Sequence, residues 1–419
     1  MATRAAKGNA TNSRPFDLVV YGASGFVGQR IAEYLARHSQ GAELHWAIAG
    51  RDRARLEAVR AALGDNAVAV EIVVADAFDV AALDALAART HVLLSAVGPY
   101  AQYGSLVVEA CVANRTHYVD ITGETVWVRG LIDRHHSRAA RQGTRIIPCC
   151  GFDSVPSDLG SYLVARQLQQ TLAAPCVEVR AYFQMYGGVN GGTLASAFNS
   201  FDSGQIAAAR DPFLLNPRPV HAPDEIERNR DPVAPHYDGV IGTWVGPFVM
   251  GPINTRVVRR SAALFAGWKA PYGPGFRYQE FTKFDPPLAY AKAALVSAAA
   301  RGVQGLMKPP ATRELLKRVL PAPGTGPSER TMNEGWFRTE LIGFDADGRT
   351  LRGLIAHQGD PGNRATARFV SEAALALVRD FDSLPGGTKR GGVLTPATGL
   401  GDVLAQRLRA AGVMIALGG

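Results

Sequence analysis

Phe16-Asp-Leu-Val-Val-Tyr-Gly-Ala-Ser-Gly-Phe-Val-Gly-Gln-Arg30 decides how the first third of this chain folds. The run from Phe16 to Tyr21 is apolar enough for a buried strand, and it breaks at Gly22. Gly25 and Gly28 follow at intervals of three. From Phe26 the apolar positions change to helical spacing, with Phe26, Val27, Ile31 and Leu35 on one face. Strand, glycine turn and helix in that order form a dinucleotide-binding βα unit. Gly22 permits the tight turn, Gly25 removes the Cβ that would hold a pyrophosphate off the backbone, and Gly28 lets the helix pack close to the strand. The free N–H groups and positive dipole end of the helix then face the phosphates. Gly22, Ala23, Ser24, Gly25, Phe26, Val27 and Gly28 are therefore the first candidate cofactor contacts. A strand–turn–helix without a ligand has the same local pattern, so the flanking sequence has to decide.

Working outward, apolar runs and helical patterns alternate as far as residue 150. Strands are predicted at Phe16–Tyr21, Leu44–Ala49, Val68–Ala75, His91–Val97, His117–Ile121 and Thr144–Cys150. Helices fall between them at Phe26–His38, Arg53–Leu63, Val80–Arg89 (with Asp79 as N-cap), Ser105–Ala113 and Thr125–Gln142. Short connections and regular alternation predict an α/β fold with a Rossmann-type doubly wound parallel sheet.

Beyond Cys150 the rhythm changes. Cys176–Tyr186 reads as a strand, followed by the glycine-rich Gly187-Gly-Val-Asn-Gly-Gly192 and a helix from Thr193 to about Ala209. Proline and glycine are dense from Asp211 to Pro252, which predicts an irregular covering segment. Phe276–Phe284 alternates like a strand. Trp336–Phe344 and Thr350–His357 flank the turn Asp345-Ala-Asp-Gly348, a hairpin signal. These features predict a second α+β domain with a mainly antiparallel sheet. The division is a disordered tail over 1–14, a nucleotide-binding domain over 15–150, the second domain over 151–364, and C-terminal helices over 365–419. The helices Ala365–Arg379 and Leu400–Ala411 are candidates to pack back on the first domain. Leu288–Gly305 is alanine-rich and apolar except for Lys292, Arg301 and Gln304. It reads either as a buried or domain-bridging helix, the favoured case, or as an interfacial helix at a membrane or lipid chain.

Composition narrows the class. With 419 residues, 47% hydrophobic and 20% charged, the chain is long enough for two globular cores. Its net charge of +8 comes from arginines scattered beside Asp or Glu, with no basic block or aromatic-interleaved stripe, which argues against nucleic acid. Four cysteines without CxxC spacing read as buried thiols in a reduced, cytoplasmic compartment. The polar first fourteen residues lack the apolar core of a signal peptide, and no run of about twenty apolar residues predicts a membrane span. His135-His136 points to two sides of a helix, and no metal-ligand spacing is present.

The strand ends supply the remaining candidates, because ligands in such folds bind outside the carboxyl ends of the strands. The second strand ends Ala49-Gly50-Arg51-Asp52-Arg53. An acid here would bind ribose hydroxyls. Arg51, with a second arginine nearby, instead favours a 2′-phosphate and hence NADP(H), over a plain surface arginine. Asp76, after the third strand, could accept from the adenine amino group. Ala96, Val97, Gly98 and Pro99 leave room for the nicotinamide ribose, or form a simple strand-ending turn. The clusters Asp120-Ile-Thr-Gly-Glu124 and Gly151-Phe-Asp-Ser-Val-Pro-Ser-Asp158 should face the cleft. Asp120 and Asp158 fit turn and cap roles, whereas Glu124 (substrate contact) and Asp153 (catalytic carboxylate) stand evenly between cap and site. Tyr100 is a candidate catalytic proton donor, and Tyr103 a candidate donor and substrate contact. Ser154, or N–H groups near Gly151, could stabilise an enolate.

Five motifs stand in a familiar order: Tyr-Gly-Ala-Ser-Gly-Phe-Val-Gly (21–28), Ala-Gly-Arg (49–51), Ala-Val-Gly-Pro-Tyr (96–100), Tyr-Val-Asp-Ile-Thr-Gly-Glu (118–124) and Cys-Gly-Phe-Asp-Ser-Val-Pro-Ser-Asp (150–158). With Asn-Thr-Arg-Val-Val-Arg-Arg-Ser (254–261), Pro-Gly-Thr-Gly-Pro-Ser (323–328) and Gly-Gly-Val-Leu-Thr-Pro-Ala (391–397), the chain resembles the saccharopine dehydrogenase-like family, in its trans-acting enoyl reductase branch. The resemblance implies an NADPH-dependent reductase that serves a polyketide synthase lacking its own enoyl-reducing step, in lipid or glycolipid assembly. It implies a carrier- or CoA-linked acyl substrate, a synthase or acyl carrier protein as partner, and peripheral contact with the cytoplasmic membrane. It leaves room for a homodimer. The glycine loop, Arg51 and Gly98-Pro99 carry over as cofactor contacts. Two rivals share the fold: an opine-type reductase of C–N bonds, needing arginines that clamp substrate carboxylates in the cleft, and a non-catalytic NADP-binding scaffold at a membrane.

Overall fold

The computed structural model describes residues 14–38, 44–64, 69–202, 204, 206–217 and 221–418. The expected tail falls on residues outside that set except for Arg14, which is already part of the domain. Its guanidinium donates to the Thr90 carbonyl (2.6 Å), the Thr116 hydroxyl (2.9 Å) and the Asn114 carbonyl.

In chain order, β1 (Phe16–Tyr21), β2 (Trp46–Gly50), β3 (Glu71–Val74), β4 (Thr90–Ser95), β5 (His117–Asp120) and β6 (Arg145–Ile147) come first. They are followed by β7 (Glu178–Tyr186), β8 (His236–Asp238), β9 (Thr243–Pro247), β10 (Arg277–Lys283), β11 (Trp336–Phe344), β12 (Thr350–Gln358), β13 (Gly392–Val393) and β14 (Met414–Leu417). One sheet has the order β13-β6-β5-β4-β1-β2-β3, with every pair parallel. β1 lies between β2 and β4, and β1, β2 and β4 are buried along almost their whole length, as a sheet covered by helices on both faces requires. This is the doubly wound parallel sheet that the alternating pattern predicts. It has one strand more than the six read from the sequence. β13 comes from the far end of the chain and adds to β6. The fully buried Arg145 holds the chain on either side of it, donating to the carbonyls of Pro385 (3.0 Å), Gly387 (2.7 Å) and Gly399.

The second sheet has the order β14-β12-β11-β7-β10-β9-β8. Only β7 and β10 pair in parallel. The predicted hairpin is β11–β12, where the Asp345 carboxylate accepts from the N–H groups of Asp347 (3.0 Å) and Arg349 (2.8 Å) and so shapes the turn. The 211–252 stretch is not wholly irregular, since it contains β8, β9 and a short helix, Pro223–Arg228.

A helix that the sequence pattern did not disclose, Val155–Leu172, runs from the end of β6 toward β11 and β12 and joins the two sheets. Leu159, Val164 and Leu168 on it are fully buried. The C-terminal helix Thr366–Arg379 packs against the first helix, Phe26–His38, where the buried Tyr34 hydroxyl donates to Glu372 at 2.6 Å. The favoured buried reading of Leu288–Gly305 does not hold. These residues lie in a surface helix, Ala289–Met307, of which only Ala289, Ala293, Ser297 and Met307 are buried. Among the described residues no helix is long and apolar enough to cross a membrane.

Candidate functional site

The glycine loop closes β1 onto its helix by contacts that leave no room for side chains. Gly22 has φ +89°, and a Cβ there would enter the Val97 side chain. A Cβ on Gly28 would run into the carbonyl oxygen of Gly22 and lie 2.9 Å from the Cα of Ala23. Gly25 differs. Its N–H donates to the Gly22 carbonyl (3.0 Å), and a Cβ built on it would meet only that oxygen within 4 Å. Its other side is open. That is the space a diphosphate needs, and a side chain at 25 would fill it. Ala23 and Val27 are buried beneath the loop, and the Ser24 carbonyl accepts from the Gln29 side chain (3.2 Å). From the chain between β10 and β11, Gly326 lies so close to the Phe26 ring that any side chain would collide, and Arg30 pairs with Glu329 at 2.9 Å. The 323–329 segment therefore lies against the start of the helix.

At the end of β2 the competing residues Arg51 and Asp52 separate by role. The Asp52 carboxylate caps the next helix, Arg53–Ala62, accepting from the Arg55 N–H at 3.1 Å. Arg51 is exposed, and among the described residues nothing hydrogen-bonds or pairs with its guanidinium. A committed acid beside an uncommitted guanidinium fits a 2′-phosphate better than a ribose diol. Asp76, half-buried beyond β3, accepts from the Phe78 N–H (2.9 Å) through one oxygen, and its other oxygen has no hydrogen-bond partner among the described residues.

Ala96, Val97, Gly98 and Pro99 follow β4 and are partly open to solvent. Tyr100 is not placed as a proton donor to the cleft. Its ring is buried and its hydroxyl donates to the Ser95 carbonyl (3.0 Å) while lying 3.4 Å from the Ile121 N–H. Burial raises that phenol well above its ordinary pKa. Glu124 is likewise committed to structure. Its carboxylate accepts from the N–H groups of Tyr100 (2.8 Å) and Ala101 (3.0 Å), capping the short helix Tyr100–Tyr103, and from the Ser196 hydroxyl (2.8 Å). Ser196, which sequence reasoning missed, sits on the helix Gly191–Asp202, with its oxygen 3.5 Å from where a Cβ on Gly98 would stand. The glycine-rich segment before that helix was the available signal, because it lets the helix start close to the end of β4. Tyr103 is half-buried with its ring edge-on to the exposed Phe78.

The turn after β6 holds the remaining candidates. Ser154 is buried and donates to the Asn254 side chain (3.1 Å), which in turn donates to Glu280 (2.9 Å). Glu280 also accepts from Ser157 (2.8 Å) and Tyr278 (2.7 Å), and burial lifts its carboxyl to about 7. Asp158 accepts from Ser261 and from the Ala397 N–H (2.8 Å), and Asp120 accepts from the N–H groups of Thr122 and Cys149 (both 3.0 Å). These are packing roles. Asp153 is different: its carboxyl is half-buried, burial alone pushes it up to about 6, and among the described residues it has no hydrogen-bond partner. Its neighbour Phe152 is anchored through its N–H to the Thr366 hydroxyl (3.1 Å), so the turn that carries Asp153 is fixed.

A βα glycine cradle and a free arginine after β2, with the 191–202 helix and the 323–329 segment lying against them, are the features of an NADP-binding oxidoreductase. The saccharopine dehydrogenase NADP binding domain family matches residues 18–147, which is β1 to the end of β6. The full chain is 38% identical over 421 residues to a trans-acting enoyl reductase of Mycobacterium tuberculosis, covering 96% of this chain and 97% of that one. It is 38% identical over 426 residues to a trans-acting enoyl reductase of Mycobacterium leprae, covering 96% and 98%. A further M. tuberculosis chain, provisionally named as such a reductase, is 40% identical over 421 residues, covering 96% and 97%. The chain belongs to the trans-acting enoyl reductase family. In fold it is similar to saccharopine dehydrogenase (L-Glu forming) from Saccharomyces cerevisiae, with TM-score 0.54, 13% identity, and coverage of 96% and 98%.

Proposed function

We propose that this oxidoreductase reduces the C=C bond of an α,β-unsaturated acyl thioester, held on coenzyme A or an acyl carrier protein, in trans to a polyketide synthase during lipid or glycolipid assembly. When bound, NADPH supplies the hydride, which adds to the β-carbon and leaves NADP⁺. Gly22, Gly25 and Gly28 seat the diphosphate, Arg51 takes the 2′-phosphate, and Ala96 to Pro99 border the nicotinamide ribose. Asp153 gives its proton to the α-carbon and recovers one from solvent. The observation that carries this reading is Asp153 itself, a half-buried carboxyl without a protein partner at the carboxyl end of β6.

An opine-type reaction needs arginines in the cleft, and the densest arginine cluster is committed elsewhere. Arg256 pairs with Asp231 and donates to the Ala209 and Arg210 carbonyls (both 3.1 Å). Arg259 holds the carbonyls of Pro212 and Tyr278 (both 3.0 Å), and Arg260 holds those of Leu215 and Val393 (both 2.5 Å). All three are buried and clamp the 209–215 segment.

The test is spectrophotometric. Purified protein with NADPH and a panel of enoyl thioesters should lose absorbance at the nicotinamide band. Turnover confined to mixtures of amino acid and keto acid would replace the proposal with the opine reaction. Tight NADPH binding with no turnover on either panel would leave a scaffold.

A further inference from the structure

The helix Ala289–Met307 and the following helix Pro310–Val319 pack as a hairpin, and both expose large apolar side chains. At 100° per residue, the buried Ala289, Ala293 and Ser297 share one face. Leu295 and Leu306, eleven residues apart, share the opposite one, and the exposed Val303 stands between the two faces. From 298 to 306 no residue is buried. Leu295, Val303, Leu306, Leu315 and Val319 are each between 51% and 74% exposed, an unusual cluster of large apolar side chains on one surface element.

Charge says what covers it. Residues 288–320 hold six cations (Lys292, Arg301, Lys308, Arg313, Lys317 and Arg318) against one carboxylate, Glu314. That excess of five is most of the net +8 of the chain. Arg301, Lys308 and Arg318 are exposed and have no ion-pair partner among the described residues. Two such hairpins from two copies of the chain would repel each other. An acidic carrier protein would satisfy the cations but not three turns of helix with apolar residues outward. Apolar side chains flanked by unpaired cations match a bilayer with anionic headgroups.

The hairpin is also wired to the cleft. Arg313 and Lys317 both bind Asp202, at 2.8 and 2.9 Å. Asp202 ends the twelve-residue helix Gly191–Asp202, whose Ser196 reaches Glu124 beside Gly98. From Asp202 to Ser196 that helix rises roughly 9 Å at 1.5 Å per residue.

We infer that the 288–320 hairpin docks the protein on the surface of an anionic membrane, with its exposed apolar side chains in the headgroup–acyl boundary and the Gly98 turn reached through half the length of the helix that Asp202 ends. The inference does not depend on the reductase reading, because vesicle binding is measured without turnover. The full chain should co-sediment with phosphatidylcholine vesicles containing about a third phosphatidylglycerol, far more than with pure phosphatidylcholine, and lose binding as salt is raised. Leu295→Asp with Val303→Asp should lower the bound fraction tenfold or more, and Arg301→Glu with Lys308→Glu and Arg318→Glu should do the same. All five side chains point into solvent, and an unchanged NADPH titration would show that the variants remain folded. Equal binding to both vesicle types, or Asp variants that bind like the parent, would overturn the inference. So would absence from both vesicle pellets with co-elution of an acidic carrier protein.

Discussion

Ser196 donates its hydroxyl to Glu124 at 2.8 Å, joining the helix Gly191–Asp202 to the loop after β5. The same carboxylate receives two backbone N–H groups at the start of the helix that follows Gly98-Pro99. One side chain therefore ties the Gly98-Pro99 turn to the helix that lies against it.

Glu124→Ala should on this account loosen both parts at once. Two buried N–H groups and a hydroxyl would lose a charged acceptor, and hydrogen bonds to charged groups contribute about 1.5–3 kcal/mol each at most. We expect about 2–4 kcal/mol of lost stability in denaturant unfolding, with non-additivity holding the total below the sum, and roughly tenfold weaker NADPH binding. Unchanged unfolding would mean that water replaces the carboxylate without cost and that Glu124 is free to act on substrate.

Arg51→Ala should discriminate between cofactors. A guanidinium on a phosphate is a charge-assisted contact, and its removal should weaken NADPH by roughly ten- to a hundredfold while leaving NADH within about twofold. Asp52→Ala, in contrast, removes a helix cap and should cost about 1 kcal/mol of stability with little change in the NADPH:NADH ratio. Equal losses for both nucleotides in Arg51→Ala, read by fluorescence titration, would remove the 2′-phosphate assignment.

How much of this was legible in the sequence depended on how local each signal was. β1 and the helix Phe26–His38 have the bounds read from the sequence, because an apolar run ended by Gly22 and a one-sided helix that repeats its period are both local signals. β13 has two residues and β14 four, too few for any period to show. The helix Val155–Leu172 begins with Pro156, Ser157 and Asp158 and buries them, so a polar start concealed a core element. Cys149 and Cys150 read as the end of an apolar strand, but β6 stops at Ile147 and Cys149 turns the chain with φ +64°. The glycine cradle was visible because its spacing follows from local geometry. Ser196 was not, since it meets Glu124 from 72 residues away. Tyr100 could not be judged either, because whether a loop tyrosine points into a cleft or under a sheet depends on the turn that carries it.

Glu280 should make stability depend on pH in a sense opposite to that of most carboxylates. Burial lifts it to about 7 in the fold, whereas in the unfolded chain it ionises near the ordinary value of 4.5. Between these values the folded state holds a proton that the unfolded state has lost. Its contribution is therefore complete below about pH 4.5 and disappears as pH rises through about 7. Glu280→Gln keeps the shape and removes the titration. The melting temperature of Glu280→Gln minus that of the parent should rise steadily between pH 5 and pH 7.5. A difference independent of pH in differential scanning calorimetry would show that the carboxylate is ionised in the fold.

Asp153 offers the sharpest test of the chemistry, because its protonation is what the proposed step consumes. An acid with its carboxyl at about 6 is mostly protonated below that pH and mostly ionised above it. The rate of enoyl reduction under single-turnover conditions should therefore be highest on the acid side and decline above about pH 6, in a limb that Asp153→Asn abolishes. General acid catalysis contributes typically 10²- to 10⁴-fold, so the Asn variant should lose at least about a hundredfold in kcat with NADPH affinity within about twofold of the parent. Asp153→Glu should recover part of the rate and move the limb. If Asp153→Asn instead raises KM and leaves both kcat and the pH profile alone, the residue binds the acyl group and the proton comes from solvent or from the substrate's own carrier.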